Sequence, residues 1–221
     1  MKYYRYTDLV WLNRCLYTLL FPPAILTIIG LLHGLYSLQR LRGQSSLAAL
    51  DSLNPDLSHM LMLDGILRVS QISLTILMLT FFAFCWLYYA KRNLIALFQQ
   101  VEHCLINNLK QFANLFISIF FSLRMMRELW RTSIPKNHRH GIQHWLVPVW
   151  WVILIAANTC KIVAVVLLAK ASTVGDWFNG YEWMLAAYCF YFPLYILTWR
   201  LVNQLARYQK IQWQQLMIQS A

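Results

Sequence analysis

Acidic side chains are scarce in this sequence: eight Asp and Glu stand among 221 residues. So few carboxylates leave little from which to build a paired general acid and base. No Ser-His-Asp set and no glycine-rich phosphate loop accompanies them. We therefore expect no catalytic residues, no cofactor and no metal. Cysteine is sparse too. Cys15, Cys85, Cys104, Cys160 and Cys189 form no C-x-x-C pair and leave an odd count. That argues against a disulfide framework and for free thiols behaving as small apolar groups.

Charge of either sign is missing in blocks. Only 12% of residues are charged and 59% are hydrophobic, whereas a soluble domain carries about 25% charged residues. Residues 15–36, 69–90, 141–160 and 183–199 contain no Asp, Glu, Lys or Arg, in runs of 22, 22, 20 and 17. A helix needs about 20 apolar residues to cross hydrocarbon. Four such runs do not fit one small water-soluble core. The first exceeds a signal-peptide h-region and lacks a small-x-small cleavage site after Tyr36, so it reads as a retained helix. The runs are also too long and too uniformly apolar for the alternating strands of a membrane barrel.

The basic residues sit between these runs. Lys2, Arg5 and Arg14 precede the first; Lys91, Arg92, Lys110, Arg124, Arg127, Arg131, Lys136 and Arg139 separate the second and third; Arg200, Arg207 and Lys210 follow the fourth. The intervening segments hold Arg40, Arg42, Arg68 and Lys170. Lys and Arg resist translocation, so a split of 14 against 4 places both termini in the cytoplasm. This accounts for the net charge of +11 without nucleic acid. Trp11, Trp86, Trp145, Trp150, Trp151, Trp183 and Trp199 cluster near the run ends, as an interfacial belt does.

The expected fold is all-α: one polytopic membrane domain of about four transmembrane helices, with spans near 15–36, 67–90, 145–168 and 181–201. Pro22-Pro23 removes ladder hydrogen bonds in the first span and predicts a kink. An outer loop covers 37–65, with Asn54-Pro55 starting a helix that runs into the second span and Asp64 and Arg68 paired at i, i+4. The spacing of Leu94, Leu97, Val101, Leu105 and Leu109 predicts an amphipathic extension. Residues 111–131 form an interfacial or re-entrant segment, because the uncharged stretch 112–123 is too short to cross. A cytoplasmic amphipathic helix covers 202–218.

Two stretches resemble a known bacterial family. Trp86-Leu87-Tyr88-Tyr89-Ala90-Lys91-Arg92-Asn93 is similar to its W-x-x-R/Y-A-x-x-N element, which ends one span. Met126-Arg127-Glu128-Leu129-Trp130-Arg131-Thr132-Ser133 is similar to its M-x-E-L-W-R-A-S element, and Trp150-Trp151 to the tryptophan pair that opens the next span. The family is domain of unknown function 4328. The resemblance covers roughly residues 66–200. Ser118 and Ser122 stand where the family has Asn and a second Pro, which smooths the helix before the second element. The resemblance implies a similar topology and no established activity.

Candidate chemistry is thin. Lys161 is the one charge away from the ends of a span, and an intramembrane ionisable residue is a functional hypothesis by default. It lies 16 residues beyond Trp145, roughly 24 Å through a core of about 30 Å. Its stem can therefore snorkel to the outer interface. The functional alternative is a ligand or ion contact shared with Asn158. His138, His140 and His144 form a histidine cluster, but the surrounding cationic charge favours a solvated loop over a metal site. Arg124, Arg127, Glu128, Trp130 and Arg131 present candidate interfacial contacts to anionic phospholipids or a protein partner. The plainer alternative for that segment is a surface pair between Arg124 and Glu128 at i, i+4.

These features favour a non-enzymatic accessory or scaffold protein of the bacterial inner membrane, packing against lipid and a membrane-protein partner or its own copies. The rival is a small transporter or ligand sensor with an interhelical cavity near Lys161 and Asn158, bordered by Tyr191, Tyr195 and the prolines Pro22-Pro23, Pro148 and Pro193.

Overall fold

A computed structural model describes residues 6–42, 55–98, 118–135 and 145–220. Among the described residues the chain is all-helical. Helix α1 spans Val10–Leu41 and α2 Pro55–Thr80. A π-helical segment, Phe81–Trp86, joins α2 to α3, Leu87–Phe98. Then come α4, Ser118–Ser133, α5, Leu146–Lys170, and α6, Val174–Ser220. Among the described residues three stretches are long and apolar enough to cross a membrane: Val10–Gln39, Leu146–Lys170 and Val174–Ile218, with mean hydropathies of 2.1, 2.4 and 1.3. Such a chain reads as a membrane protein.

The helices outrun the uncharged runs that announce them. α1 begins before residue 15 and stays helical through Pro22-Pro23. α6 continues for 47 residues, so the expected C-terminal amphipathic helix is its direct extension. Asn54 lies outside the described residues, and Pro55 is the first residue of α2. The start of α6 is fixed by a reciprocal cap. The Asp176 N–H donates to Thr173 Oγ1 at 3.1 Å while Asp176 Oδ2 accepts from the Thr173 N–H at 3.0 Å. This satisfies donors that a helix start otherwise leaves orphaned.

The chain divides into two compact units, each built from parts of several helices. The first holds residues 1–18, 78–151 and 197–221. Its core gathers Leu9, Leu12, Leu16, Trp86, Met126, Leu129, Trp130, Leu201 and Leu205, all buried. Phe82 stacks on Trp86 at 5.3 Å, and Trp130 meets Tyr208 edge-on at 5.9 Å. Tyr6 stacks on Trp213 at 5.1 Å. Burial, with the Asp8 charge second, pushes the Tyr6 hydroxyl up to about 12, so it stays neutral.

The second unit holds residues 19–77 and 152–196. Ala164, Leu168, Tyr181, Met184 and Tyr188 form its buried cluster, flanked by Leu31, Leu38 and Trp177. Here α1 approaches α6 through glycine. A Cβ on Gly30 would stand 2.6 Å from Tyr188 Cζ, and one on Gly34 would stand 2.9 Å from Leu185 Cδ2. Without a hydrophobic effect to drive them together in lipid, helices associate by such close packing. Gly65 faces open space within 4 Å. Gly30→Val is therefore expected to destabilise by about 1–3 kcal/mol through overpacking against a buried ring. Gly65→Ala should be neutral or stabilise by up to about 1 kcal/mol, the helix-propensity difference. Unfolding midpoints in one detergent compare the two; equal effects would remove the close-approach argument.

Candidate functional site

In the second unit, polar side chains from four helices join in one system. Lys161 of α5 is 8% exposed, and its Nζ donates to Gln71 Oε1 of α2 at 3.1 Å. Gln71 Nε2 donates to Thr27 Oγ1 of α1 at 3.0 Å, and the Thr27 hydroxyl donates to the Pro23 carbonyl at 2.8 Å. The ammonium also lies 5.3 Å from the centre of the Tyr191 ring of α6, a cation–π distance. Tyr191 donates its hydroxyl to Asn158 Oδ1 at 3.0 Å, and Asn158 Nδ2 donates to the Leu154 carbonyl at 2.7 Å. Lys161 thus turns inward rather than along α5 to a helix end. Among the described residues, ion pairs join Asp64 to Arg68 and Asp8 to Lys210; Lys161 has no carboxylate.

A second cluster in the same unit is charge-balanced. Asp64 and Arg68, at the expected i, i+4 spacing, form an ion pair. Tyr181 donates its hydroxyl to Asp64 Oδ2 at 3.2 Å, and the Arg68 guanidinium lies 5.9 Å from the centre of the Tyr181 ring. Pairing of this kind lets ionised groups stand among apolar helices.

In the first unit the two motif segments become a lock. Trp86, Ala90 and Asn93 recur at i, i+4 and i+7, on one helix face. The Trp86 indole donates to Asn13 Oδ1 at 2.7 Å. Asn93 grips the N-terminal segment twice, accepting from the Thr7 N–H at 2.9 Å and donating to the Thr7 carbonyl at 2.8 Å. It also donates to Gln209 Oε1 at 3.3 Å. Gln209 Nε2 in turn donates to the Ala90 carbonyl at 2.9 Å and to Ser133 Oγ at 3.1 Å. Trp150 donates to Thr198 Oγ1 at 2.8 Å. The Leu87 N–H bonds to the Phe82 carbonyl, an i to i+5 step.

The α4 residues divide. Arg124, Arg127, Glu128 and Arg131 are exposed. Trp130 is 2% exposed and belongs to the core against Tyr208, away from the face its neighbours present. Arg124 and Glu128 form no ion pair, since an exposed pair of long side chains gains little over solvation. His138, His140, His144, Cys104 and the segment 111–117 lie outside the described residues. Among the described residues no three His, Cys, Asp or Glu side chains gather as metal ligands.

The sequence singles out Lys161, Asn158 and Tyr191, and the structure brings these three together. Gln71 and Thr27 carry no local mark, because their pairing depends on long-range helix placement. Comparison with known proteins gives one match: residues 61–207 fit the family described as Domain of unknown function (DUF4328). No curated protein and no solved structure matches the chain.

Proposed function

The chain belongs to the family Domain of unknown function (DUF4328) and, since that membership prescribes no activity, we propose from its geometry a non-enzymatic accessory or scaffold protein of the bacterial inner membrane. It crosses the bilayer four times, α2 with its π segment supplying the fourth crossing, and keeps both termini in the cytoplasm. Charge supports that orientation. The first unit carries Arg14, Lys91, Arg92, Arg124, Arg127, Arg131, Arg200, Arg207 and Lys210 against Asp8 and Glu128. In the second, Arg42, Arg68, Lys161 and Lys170 stand beside Asp64, Asp176 and Glu182. The basic unit fits the side where Lys and Arg are retained.

One observation carries the scaffold reading: in both units the central polar side chains bond to one another. Asn93, Gln209, Trp86, Gln71 and Tyr191 each bond to protein partners, so none waits for a reacting group. What faces outward is apolar in the second unit, as at Phe21, Val69 and Ile162, and basic on α4. Such surfaces suit lipid, partner helices and anionic headgroups. Purification of tagged protein in mild detergent should recover a membrane-protein partner in fixed ratio, and cysteine labelling in intact cells should leave both ends unreacted. A monomer or homo-oligomer alone would sink the accessory role; labelled termini would sink the orientation.

A ligand-sensing or transport role has one specific observation behind it, the buried Lys161 ammonium without a carboxylate. Bundles place ligands between helices, and a cation held there without counter-charge attracts an anion.

A further inference from the structure

The first unit contains a basic seam that neither the scaffold reading nor the Lys161 system uses. Tyr17 of α1 donates its hydroxyl to Asn203 Oδ1 of α6, and its ring lies 6.3 Å from that of Trp199. The two helices are therefore in register at these residues. Three arginines follow from that register. Arg14 precedes Tyr17 by one turn on α1, while Arg200 and Arg207 stand one turn to either side of Asn203 on α6. Residues three and four apart share a helix face, so all three arginines stand on the helix faces that meet at the Tyr17–Asn203 contact. All three are exposed. Among the described residues none of them forms an ion pair; Lys210, by contrast, is held by Asp8 at 3.5 Å. Trp11 and Trp199, 68% and 51% exposed, lie beside Arg14 and Arg200. Exposed tryptophan next to arginine is the composition of a headgroup-level belt.

We propose that this seam is a headgroup site for a two-phosphate anionic lipid of the diphosphatidylglycerol type, gripped by Arg14, Arg200 and Arg207. The spacing favours two phosphates over one. Arg200 and Arg207 are separated by seven residues, about 10 Å along the helix axis at ~1.5 Å per residue. Two phosphates joined by a glycerol match that separation, so each arginine can take a phosphate of its own. Arg14 adds a third cation from the facing helix. Guanidinium forks bind phosphate oxygens bidentately, which lysine does not. Basic pockets between transmembrane helices on the cytoplasmic side take such headgroups. The Asn203 amide nitrogen adds a neutral donor, since its Oδ1 is the atom engaged by Tyr17. The assignment rests on the orientation proposed above only for the leaflet from which the lipid comes.

Native mass spectrometry of delipidated full-length protein in detergent tests it, with diphosphatidylglycerol, phosphatidylglycerol and phosphatidylethanolamine titrated separately. The wild type should hold diphosphatidylglycerol at least tenfold tighter than phosphatidylglycerol, with phosphatidylethanolamine weaker still. Arg14→Gln/Arg200→Gln/Arg207→Gln should lose that preference, whereas Arg124→Gln/Arg127→Gln/Arg131→Gln should keep it. Millimolar inorganic phosphate should not displace the lipid. Single substitutions at each seam arginine, each expected to weaken binding severalfold, keep the test open if the triple variant fails to fold. Unchanged preference in the seam variants, equal loss in the α4 triple variant, or displacement by free phosphate would overturn the site. Because binding is read in detergent, such a failure is separate from any failure of topology or partner capture.

Discussion

Gln209→Leu is expected to lower stability by about 3–5 kcal/mol, because it strands several buried polar groups at once, each worth about 1–3 kcal/mol. Gln209 is fully buried. Its amide reaches the Ala90 carbonyl and Ser133 Oγ, and its carbonyl oxygen accepts from Asn93. Leucine fills similar space and offers none of these partners. The Ser133 hydroxyl can rotate, and Asn93 keeps its bonds to Thr7, which holds the total below the sum of separate orphans. Gln212, three residues on, provides the comparison. Half-buried, it makes one bond, to the Thr132 carbonyl at 3.2 Å, and its Oε1 has no hydrogen-bond partner among the described residues, so Gln212→Leu should cost no more than about 1 kcal/mol, the worth of one ordinary hydrogen bond. Reversible unfolding in mixed micelles measures both. Similar losses would show that the buried hub contributes no more than a single hydrogen bond.

The hub also gives the motif residues a physical meaning. Trp86 needs an indole N–H to reach Asn13, Ala90 presents its carbonyl to Gln209, and Asn93 closes on Thr7 from both sides. Each of these roles is one of packing and hydrogen bonding within the first unit. They set α3, α4, the N-terminal segment and the end of α6 in fixed positions within the first unit.

What was legible from the sequence follows the range of the forces involved. Long uncharged runs announce α1, α5 and α6, because desolvation of charge in lipid is strong enough to leave gaps in composition. The Asp64–Arg68 pair and the helix starting at Pro55 were readable from spacing. The Thr173-x-x-Asp176 cap and the Gly30-x-x-x-Gly34 spacing are local patterns of the same kind. The π turn was not legible, since Phe81–Trp86 carries no glycine or proline and its extra residue is set by tertiary packing. Trp130 was placed with its basic neighbours because one side chain's direction cannot be told from a short segment. Burial of Lys161 depended on Gln71, 90 positions away, and no periodicity encodes that.

Replacing Lys161 together with its partner separates a structural lysine from a working one. In Lys161→Met the ammonium is lost and Gln71 Oε1 loses its donor, an orphan worth about 1–3 kcal/mol. The desolvation penalty of a buried cation disappears at the same time, and apolar replacement of buried charge is often neutral or stabilising by about 1–4 kcal/mol. Removing the orphan as well, in Lys161→Met/Gln71→Leu, should leave a protein at least as stable as the wild type, though Thr27 gives up its Gln71 contact. A lysine whose removal does not weaken the fold is kept for another purpose. The ligand-sensing reading then requires that an anionic small molecule co-isolated with the wild type, detected by mass spectrometry of the denatured extract, be absent from both variants. Lys161→Arg, which keeps the charge, should retain some of it. If both variants instead lose more than about 3 kcal/mol, the range for breaking a buried charge pair, Lys161 holds α2, α5 and α6 together. If extracts of wild type and variants are identical, the ammonium binds nothing and the scaffold reading stands alone.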